Sequence, residues 1–203
     1  MPRGKRVGVL ALQGDFEAHK RALERAGAEA VEVRTVANLN GLDGLILPGG
    51  ESTTMLKLLD DEGLFEPLKR FGEERPIFGT CAGAILLATE VLNPSQKSLG
   101  LVDMSIERNA YGRQLDSRIE KLAWGGGSGN GDRLEAVFIR APIIRRVGPG
   151  VKVLAEYQGS PVLVEQDRHL VATFHPELTG DGRVHEEFVG RVCRTRDAAN
   201  GRA

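Results

Sequence analysis

Residues 76–88, Pro-Ile-Phe-Gly-Thr-Cys-Ala-Gly-Ala-Ile-Leu-Leu-Ala, constrain the fold more than any other stretch of the chain. Their order predicts a short buried strand, a sharp turn with Cys81 at its apex, and a helix. Gly79 and Gly83 suit such a turn, because a Cβ beside the apex would crowd the strand or the helix. Beside a helix N-terminus, unpaired N–H groups favour the thiolate and can bind a developing oxyanion. Taken alone, Cys81 could equally be a small buried apolar residue, as most free cysteines are.

Strand and helix patterns alternate before and after this turn, up to Glu90. Besides the strand that enters Gly79, continuous apolar runs predict buried strands at residues 6–12 and 44–48. Residues 29–34 are a further strand candidate, with Val31 and Val33 on one face. The first predicted helix is capped by Asp15 and ended by Gly27, and its apolar face consists of Phe16, His19, Leu23 and Ala26. A second helix, capped by Ser52, is predicted over 53–59, and a third over 64–71. This alternation predicts the α/β class, with an open, mostly parallel sheet flanked by helices.

The second half of the chain has short strand patterns with few helices between them. The predicted strands are residues 101–107, 115–124, 133–140, 151–157, 161–165 and 170–174. They predict an antiparallel or mixed extension of the sheet. Val184, Phe188 and Val192 share one face of a predicted closing helix over 183–194, and residues 195–203 are predicted to fray. All 203 residues are expected to form one domain, since no linker or repeat divides them.

Composition argues against several classes of function. The formal net charge is -1, so neither nucleic acid nor an acidic membrane surface is expected as an obligatory partner. No apolar run has the length needed to span a bilayer. Cys81 and Cys193 are far apart and lack metal-ligand spacing, which is typical of a protein of the reducing cytoplasm. The glycine-rich segment 125–131 lacks the lysine and the strand–helix context of a phosphate-binding loop, so no ligand is assigned to it.

A thiol nucleophile needs a base for its proton, and the base needs an acceptor that orients it. His175 follows a predicted strand and precedes Pro176-Glu177. Because loops beyond the carboxyl ends of parallel strands form the ligand crevice, His175 is predicted to face Cys81, with Glu177 orienting its ring. Taken alone, His175 could be a surface histidine at a strand end. The acid follows the histidine here, whereas it precedes the histidine in the α/β-hydrolases.

The other three histidines are expected to lie outside the chemistry. His19 is on the apolar face of the first helix and is expected to be packed or at an interface. His169 is in the polar turn Asp167-Arg-His and is expected to be solvated. His185 falls among charged residues of the last helix.

A second glycine turn, Gly49-Gly50, follows the third predicted strand. Two successive glycines let backbone N–H groups approach a substrate closely, as an oxyanion donor must. The alternative is an ordinary turn between a strand and a helix. The presence of Cys81 favours the first interpretation.

The cysteine turn and His175-Pro-Glu177 resemble the class I, triad-type glutamine amidotransferases, which implies a flavodoxin-like sheet. Within that class the chain resembles the glutaminase subunits of pyridoxal 5′-phosphate synthase, the ribose 5-phosphate-dependent route to vitamin B6. Besides the cysteine turn, the segments that carry this resemblance are Leu10-Ala-Leu-Gln-Gly14, Leu47-Pro-Gly-Gly-Glu-Ser-Thr53, Glu107-Arg-Asn-Ala-Tyr-Gly-Arg-Gln114, Phe138-Ile-Arg-Ala-Pro142 and His175-Pro-Glu-Leu178. The cysteine turn and His-Pro-Glu specify only the class, whereas the segments that begin at Glu107 and Phe138 specify the member.

The resemblance implies a catalytic triad. Cys81 would attack the side-chain amide carbon of L-glutamine to form a thioester. His175 would take and return protons, and Glu177 would orient His175 and stabilise its charged form. The backbone N–H groups of Gly50 and Ala82 would form the oxyanion hole.

The resemblance also implies how glutamine is bound. The implied binding residues are Gly49, Gly50, Glu51, Arg108, Ile139 and Arg140. A guanidinium suits a carboxylate, which supports Arg108, and Arg140 could act through its side chain or its backbone. From the residues alone, each arginine could be a solvated strand end. Gln13 is implied as a residue of the partner interface or an organiser of the oxyanion hole.

A partner is implied as well. The ammonia would pass through a protein tunnel to a separate (β/α)₈-barrel subunit that makes pyridoxal 5′-phosphate from ribose 5-phosphate and glyceraldehyde 3-phosphate. Pyridoxal phosphate would then be the product of the pathway, and neither a bound cofactor nor a metal is implied. Two alternatives stay open. The triad could serve another partner, such as the synthase of the histidine pathway, or the chain could be a non-enzymatic module with a structural or redox-sensing Cys81.

Overall fold

The computed structural model describes residues 4–108, 117–124 and 133–200, with side chains described as far as residue 195. The helices of this part of the chain are α1 (Phe16–Arg25), α2 (Ser52–Asp61), α3 (Phe65–Glu74), α4 (Ala82–Leu87) and α5 (Arg183–Asn200). Its strands are β1 (Arg6–Leu10), β2 (Glu29–Val33), β3 (Gly44–Leu47), β4 (Ile77–Thr80), β5 (Ala88–Leu92), β6 (Val102–Glu107), β7 (Arg118–Ala123), β8 (Arg133–Phe138), β9 (Ile143–Val147), β10 (Lys152–Tyr157), β11 (Ser160–Gln166) and β12 (His169–Ala172). Short 3₁₀ helices cover Val36–Leu39 and Pro176–Leu178.

The central sheet has seven strands in the order β10-β11-β12-β4-β3-β1-β2. The five strands from β12 to β2 run parallel. Beyond β12, β11 pairs with β12 antiparallel and β10 pairs with β11 antiparallel. This confirms the α/β class, the mostly parallel open sheet and its antiparallel extension. The other late strands lie outside this sheet: β5, β6 and β9 form one small sheet, and β7 and β8 form a hairpin.

Both faces of the central sheet are covered, which is why the inner parallel strands β3 and β4 are buried along their whole length. The edge strand β2 instead carries Glu29 and Glu32 and is only partly buried. Val7 and Val9 of β1 belong to the core that contains Phe188 of α5, and Leu10 belongs to the opposite core with Met55 of α2. The inward face predicted for the closing helix is confirmed, since Val184, Phe188 and Val192 are fully buried. No helix of the described residues is both long and apolar enough to cross a membrane.

Several helix ends differ from the sequence prediction, and α2 and α3 continue to Asp61 and Glu74, beyond their predicted ends at residues 59 and 71. The N-cap of α2 is Glu51, whose carboxylate accepts from the N–H groups of Thr53 and Thr54, so the prediction of Ser52 as N-cap is wrong. Asp15 caps α1 as predicted, accepting from the N–H of Ala18 at 3.1 Å. The backbone of α5 continues to Asn200, into the segment predicted to fray.

Several predictions lie outside the described residues. They concern the glycine-rich segment 125–131, residues 109–114 of the motif that begins at Glu107, and the last three residues of the chain. Two strands were not predicted, β5 and β9.

The parallel strands place the glycine and cysteine turns together. β1, β3, β4 and β12 run in the same direction, so the segments that follow them meet at one edge of the sheet. Gln13 follows β1, Gly49 follows β3, Cys81 follows β4 and His175 follows β12. Residues far apart in the sequence thus reach one site.

Candidate active site

Cys81 occupies a strained turn between β4 and α4. Its φ of 48° and ψ of -103° form a positive-φ conformation, which costs a residue with a side chain on the order of 1–3 kcal/mol. Its N–H donates to the carbonyl oxygen of Ala172 in β12 at 2.9 Å. A Cβ on Gly83 would collide with the Leu47 carbonyl group of β3, so only glycine lets α4 lie this close to the sheet. The predicted order of strand, sharp turn and helix is confirmed.

His175 follows β12, and Glu177 holds its ring. The His175 N–H donates to the carbonyl oxygen of Val137 at 2.8 Å, which fixes the backbone beyond the strand. Pro176 then begins a 3₁₀ turn that brings Oε1 of Glu177 to 2.7 Å from Nδ1 of His175. Because the Glu177 side chain is only 1% exposed and accepts as a carboxylate, we assign the proton of this contact to Nδ1. Nε2 is then the nitrogen available to Cys81.

Cys81 and His175 meet beside Gly49. A Cβ on Gly49 would collide with the His175 ring and lie 3.4 Å from the Cβ of Cys81, so this glycine makes room for the pair. Burial by itself lowers the pKa of His175, but hydrogen bonds to Cys81 and Glu177, together with their negative charges, raise it to about 10. The carbonyl oxygen of Ile139 lies 3.9 Å from the Sγ of Cys81. A charged imidazolium beside the sulfur favours the nucleophilic thiolate.

The carboxyl group of Glu177 has the complementary environment. Burial by itself raises its pKa, but His19 and His175 outweigh that effect, so the pKa of Glu177 lies below its usual value. A buried carboxylate that stays ionised can keep the neighbouring imidazole oriented and protonated.

The Cys81 side chain faces a pocket of about 240 Å³. The pocket is lined by Gly50, Glu51, Ser52, Cys81, Ile85, Arg108, Ile139, Arg140, Pro142 and His175. Seven predicted site residues are in this set, and the four others, Gly49, Ala82, Gln13 and Glu177, each adjoin one of its members. The described residues contain no group of three His, Cys, Asp or Glu side chains that could hold a metal ion.

Three lining residues were not predicted. Ile85 lies four positions after Cys81, one turn along α4, and this spacing is the signal that could have placed it on the same face. Pro142 ends the motif that begins at Phe138, and Ser52 lies within the motif that contains Gly49 and Gly50. For both residues, their position within a motif is the sequence signal that could have placed them in the pocket lining.

One wall of the pocket carries an ion pair. Nη2 of Arg108 lies 3.3 Å from Oε1 of Glu51 and donates to Oγ1 of Thr53 at 2.7 Å. Burial by itself raises the pKa of Glu51, but hydrogen bonds from Thr53 and Thr54 lower it to about 2. The pocket thus presents a fixed carboxylate and a fixed guanidinium side by side.

Gln13 organises the glycine turn. Its side-chain amide donates to the carbonyl oxygen of Glu51 at 2.6 Å, and a Cβ on Gly50 would lie 2.9 Å from the same amide nitrogen. Gly50 has a φ of 138°, a conformation open to glycine and rare for other residues. The contact between Gln13 and this turn therefore requires glycine at position 50.

The remaining histidines are all buried. His19 is packed, as predicted, with its Nδ1 2.9 Å from Nε2 of His185. The prediction that His169 is solvated is wrong, because β12 begins at this residue and turns its ring inward, where the N–H of Ile77 donates to Nδ1 at 3.2 Å. Burial lowers the pKa of His169 to about 4 and that of His185 to about 3.

Known proteins resemble almost the whole length of this chain. The model of the SNO glutamine amidotransferase family matches residues 9–194. A relative from Solibacter usitatus, called pyridoxal 5′-phosphate synthase subunit PdxT, is 62% identical over 192 residues, which cover 93% of this chain and 100% of the relative. A protein of the same name from Koribacter versatilis is 56% identical over 187 residues, covering 92% of this chain and 95% of its own length.

Solved structures resemble the fold. A crystal structure of a glutamine amidotransferase has a TM-score of 0.85 at 49% identity and covers 92% of this chain and 98% of its own. The structure of PurLQS from Thermotoga maritima has a TM-score of 0.69 at 17% identity, over 95% of this chain and 97% of its own. At that identity the second likeness concerns the fold alone.

Proposed function

The chain belongs to the SNO glutamine amidotransferase family, and from this premise we propose that it hydrolyses L-glutamine to L-glutamate and ammonia through a thioester on Cys81. The observation that carries the proposal is the contact between Cys81 and His175. The buried carboxylate of Glu177 orients the His175 ring, and the pair borders a pocket that also contains a carboxylate and a guanidinium. A thiol, a base and an orienting acid in this order support acyl transfer.

In the proposed reaction the Cys81 sulfur bonds to the amide carbon of the glutamine side chain, and the amide oxygen takes up negative charge. His175 gives its proton to the amide nitrogen, the C–N bond breaks and ammonia leaves. The neutral His175 then takes a proton from water, whose oxygen attacks the thioester carbon. The C–S bond breaks, glutamate leaves, and Glu177 keeps Nδ1 of His175 protonated through both halves.

We assign the oxyanion hole to the backbone N–H groups of Gly50 and Ala82. Ala82 follows the nucleophile directly, as the second donor of such a turn does. Gly50 lies in the pocket wall, and its conformation is supported by the contact of Gln13 with the same turn. Donors fixed in this way stabilise charge that develops in the transition state.

We assign recognition of the amino-acid end of glutamine to the charged wall. The Arg108 guanidinium suits the α-carboxylate, and the Glu51 carboxylate, ionised with a pKa of about 2, suits the α-ammonium group. Gly49, Gly50, Ile139 and Arg140 would contribute backbone contacts. Arg140 has a φ of 47°, an uncommon conformation for a residue with a side chain, in the pocket lining.

We further propose that the ammonia serves a (β/α)₈-barrel synthase subunit that makes pyridoxal 5′-phosphate from ribose 5-phosphate and glyceraldehyde 3-phosphate. The support is that relatives covering almost the whole chain are called subunits of pyridoxal 5′-phosphate synthase. Gln13, beside the Gly50 turn, would be within reach of that partner. The described elements would form one glutaminase domain, and the two free cysteines suit the reducing cytoplasm.

The test is a coupled synthesis with the purified barrel subunit. Both glutamine and ammonium salts should support pyridoxal phosphate formation by the wild-type pair. Cys81→Ala should lose glutamine-dependent synthesis by at least about 10⁴-fold, retain ammonia-dependent synthesis and still bind the barrel subunit, because the thiol does the chemistry while the interface is built elsewhere. Pyridoxal phosphate absorbance and glutamate release are the readouts.

The other candidate functions give different outcomes. Glutamine hydrolysis that responds only to the synthase of the histidine pathway would replace the partner and keep the triad. A glutamine-analogue alkylator that leaves no adduct on Cys81 in the assembled complex would favour a non-enzymatic module. Wild-type synthesis without any stimulation by glutamine would overturn the proposal.

A further inference from the structure

Two buried histidines that the proposed reaction does not use lie behind Glu177. His19 of α1 and His185 of α5 are fully buried, and Nδ1 of His19 lies 2.9 Å from Nε2 of His185. The other ring nitrogen of His19 lies 3.4 Å from Oε2 of Glu177 and 3.2 Å from Oγ1 of Thr80. In the described part of the chain Oε2 makes no hydrogen bond of ordinary geometry, so His19 is its nearest charged or ring-nitrogen partner.

The contacts select one arrangement of ring protons. If His19 carried its proton on Nδ1, the lone pair of Nε2 would point at a buried carboxylate, and His185 would bury an N–H on Nδ1. The described residues give that Nδ1 no partner. With the proton on Nε2, His19 donates toward Glu177 and Thr80 and accepts from Nε2–H of His185. Only a lone pair is then left without a partner, which costs less than a buried orphan donor.

We propose that His19 and His185 are positioning residues of the glutaminase site, in which the Nε2–H of His185 donates to His19 and the Nε2–H of His19 supports the second oxygen of Glu177. The inference rests on the proposed function, since it concerns the triad of that reaction. Glu177 then has a histidine on each oxygen: His175, which meets the thiol, and His19, which does not.

The burial of Glu177 explains why such support matters. A carboxylate that is 1% exposed has lost its water on both oxygens, so an oxygen left without a donor favours protonation. Burial also lowers the pKa of His19, which is therefore neutral at neutral pH and acts through its N–H dipole rather than a full charge. The charged groups that face His19 are Glu177, His175 and Asp15, and Arg25 acts on His185.

The competing explanation is that the histidine pair only fills the core. Both rings pack against Phe78 of β4, at centroid distances of 6.4 and 5.9 Å. A purely structural role predicts that loss of the N–H changes stability and leaves the chemistry of Cys81 unchanged. The two roles can be separated because glutamine has an amide N–H where leucine has none.

The experiment compares His19→Leu with His19→Gln in the complex with the barrel subunit. Glutaminase kcat and KM are measured together with the rate at which iodoacetamide alkylates Cys81 as a function of pH, well below the Tm of each variant. His19→Leu should lower kcat by about 10- to 100-fold with KM changed by less than about threefold, as expected for a group that orients another. The midpoint of the pH dependence of Cys81 alkylation should move to higher pH by at least about half a pH unit in His19→Leu. His19→Gln should restore most of the lost kcat and most of the wild-type midpoint.

Two further variants complete the design. His185→Leu should reproduce the effect of His19→Leu in weaker form, since His19 would keep its own N–H. The matched control is His169→Asn, which alters another buried histidine at the opposite end of β12 and should leave kcat and the alkylation curve unchanged. If His19→Leu destabilises the protein but leaves kcat and the alkylation curve at wild-type values, or if His19→Gln restores neither, the inference is wrong. Alkylation does not depend on glutamine, so a wild-type protein without glutaminase activity would refute the proposed function separately.

Discussion

The carboxylate of Glu177 faces a histidine on each oxygen, so its charge and its orientation are set together. Glu177→Gln keeps the size of the side chain and removes the charge. Its amide oxygen can accept from one histidine, but its amide N–H₂ must then face the N–H of the other. We therefore expect kcat/KM for glutamine to fall by about 10²- to 10⁴-fold, the upper end being the loss that an amide causes when it replaces the acid of a serine-protease triad.

Kinetics and thermal unfolding of the purified variant test this prediction. Glu187→Gln is the matched control, because Glu187 pairs with Arg194 at 3.0 Å on α5, outside the site. It should keep wild-type kcat/KM. A Glu177→Gln enzyme within threefold of wild type would show that the charge on this carboxyl does not matter.

At the scale of the elements, the cysteine turn depends on how closely α4 approaches β3. In Gly83→Ala the new Cβ would collide with the Leu47 carbonyl group, so the helix must shift and the turn at Cys81 must open. We expect a loss of about 1–3 kcal/mol in the free energy of unfolding, despite the higher helix propensity of alanine, together with a large loss of activity. Urea unfolding and glutaminase assays measure the two effects.

The control for this substitution is another helical glycine. A Cβ on Gly190 of α5 meets only the end of the flexible Arg194 side chain, at 3.4 Å. Gly190→Ala should therefore stabilise the protein by about 0.5–1 kcal/mol and leave activity unchanged. Equal stability changes in the two variants would mean that the packing at Gly83 is not tight.

Local pattern predicted the elements that carry the chemistry and missed those that depend on partners. β5 follows α4 without a breaking residue, so nothing in the sequence separates the two. β9 contains Arg145 and Arg146, and two adjacent arginines are as typical of a surface loop as of a strand. In the structure they pair with Glu107 and Asp103 of β6. His169 appeared polar from its neighbours, yet strand register decides which way a side chain points, and register is a property of the sheet.

At the scale of the whole molecule, four parallel strands bring the site together from segments between Gln13 and His175. The motifs could predict that Cys81, His175 and Glu177 act together, because chemistry requires a base and an acid for the thiol. They could not predict that His19 and His185 reach Glu177. That contact needs α1 and α5 to lie on the same face of the sheet, which only the assembled fold determines.

Three of the four histidines are buried with lowered pKa values, which makes the stability of the whole fold sensitive to acid. In the unfolded chain, histidine binds a proton as the pH falls below about 6.5. In the folded protein, His169 binds one only near pH 4 and His185 only near pH 3. Protonation of each in the unfolded chain should therefore lower the free energy of unfolding by about 1–2 kcal/mol between pH 6.5 and pH 5, and His19 acts in the same direction.

The other two shifted groups of the site act outside this window. His175, with a pKa raised to about 10, contributes stability that is fully present below pH 6.5 and is lost toward pH 10. The lowered pKa of Glu177 contributes stability that is fully present above the usual carboxyl pKa and is lost only at lower pH.

Urea unfolding of the wild type and of His169→Asn at pH 6.5 and pH 5 measures the contribution of one histidine. Asparagine can accept the Ile77 N–H but does not titrate in this range. The loss of stability between pH 6.5 and pH 5 should be smaller by about 1–2 kcal/mol in the variant, and an unchanged loss would mean that His169 is protonated in the folded protein.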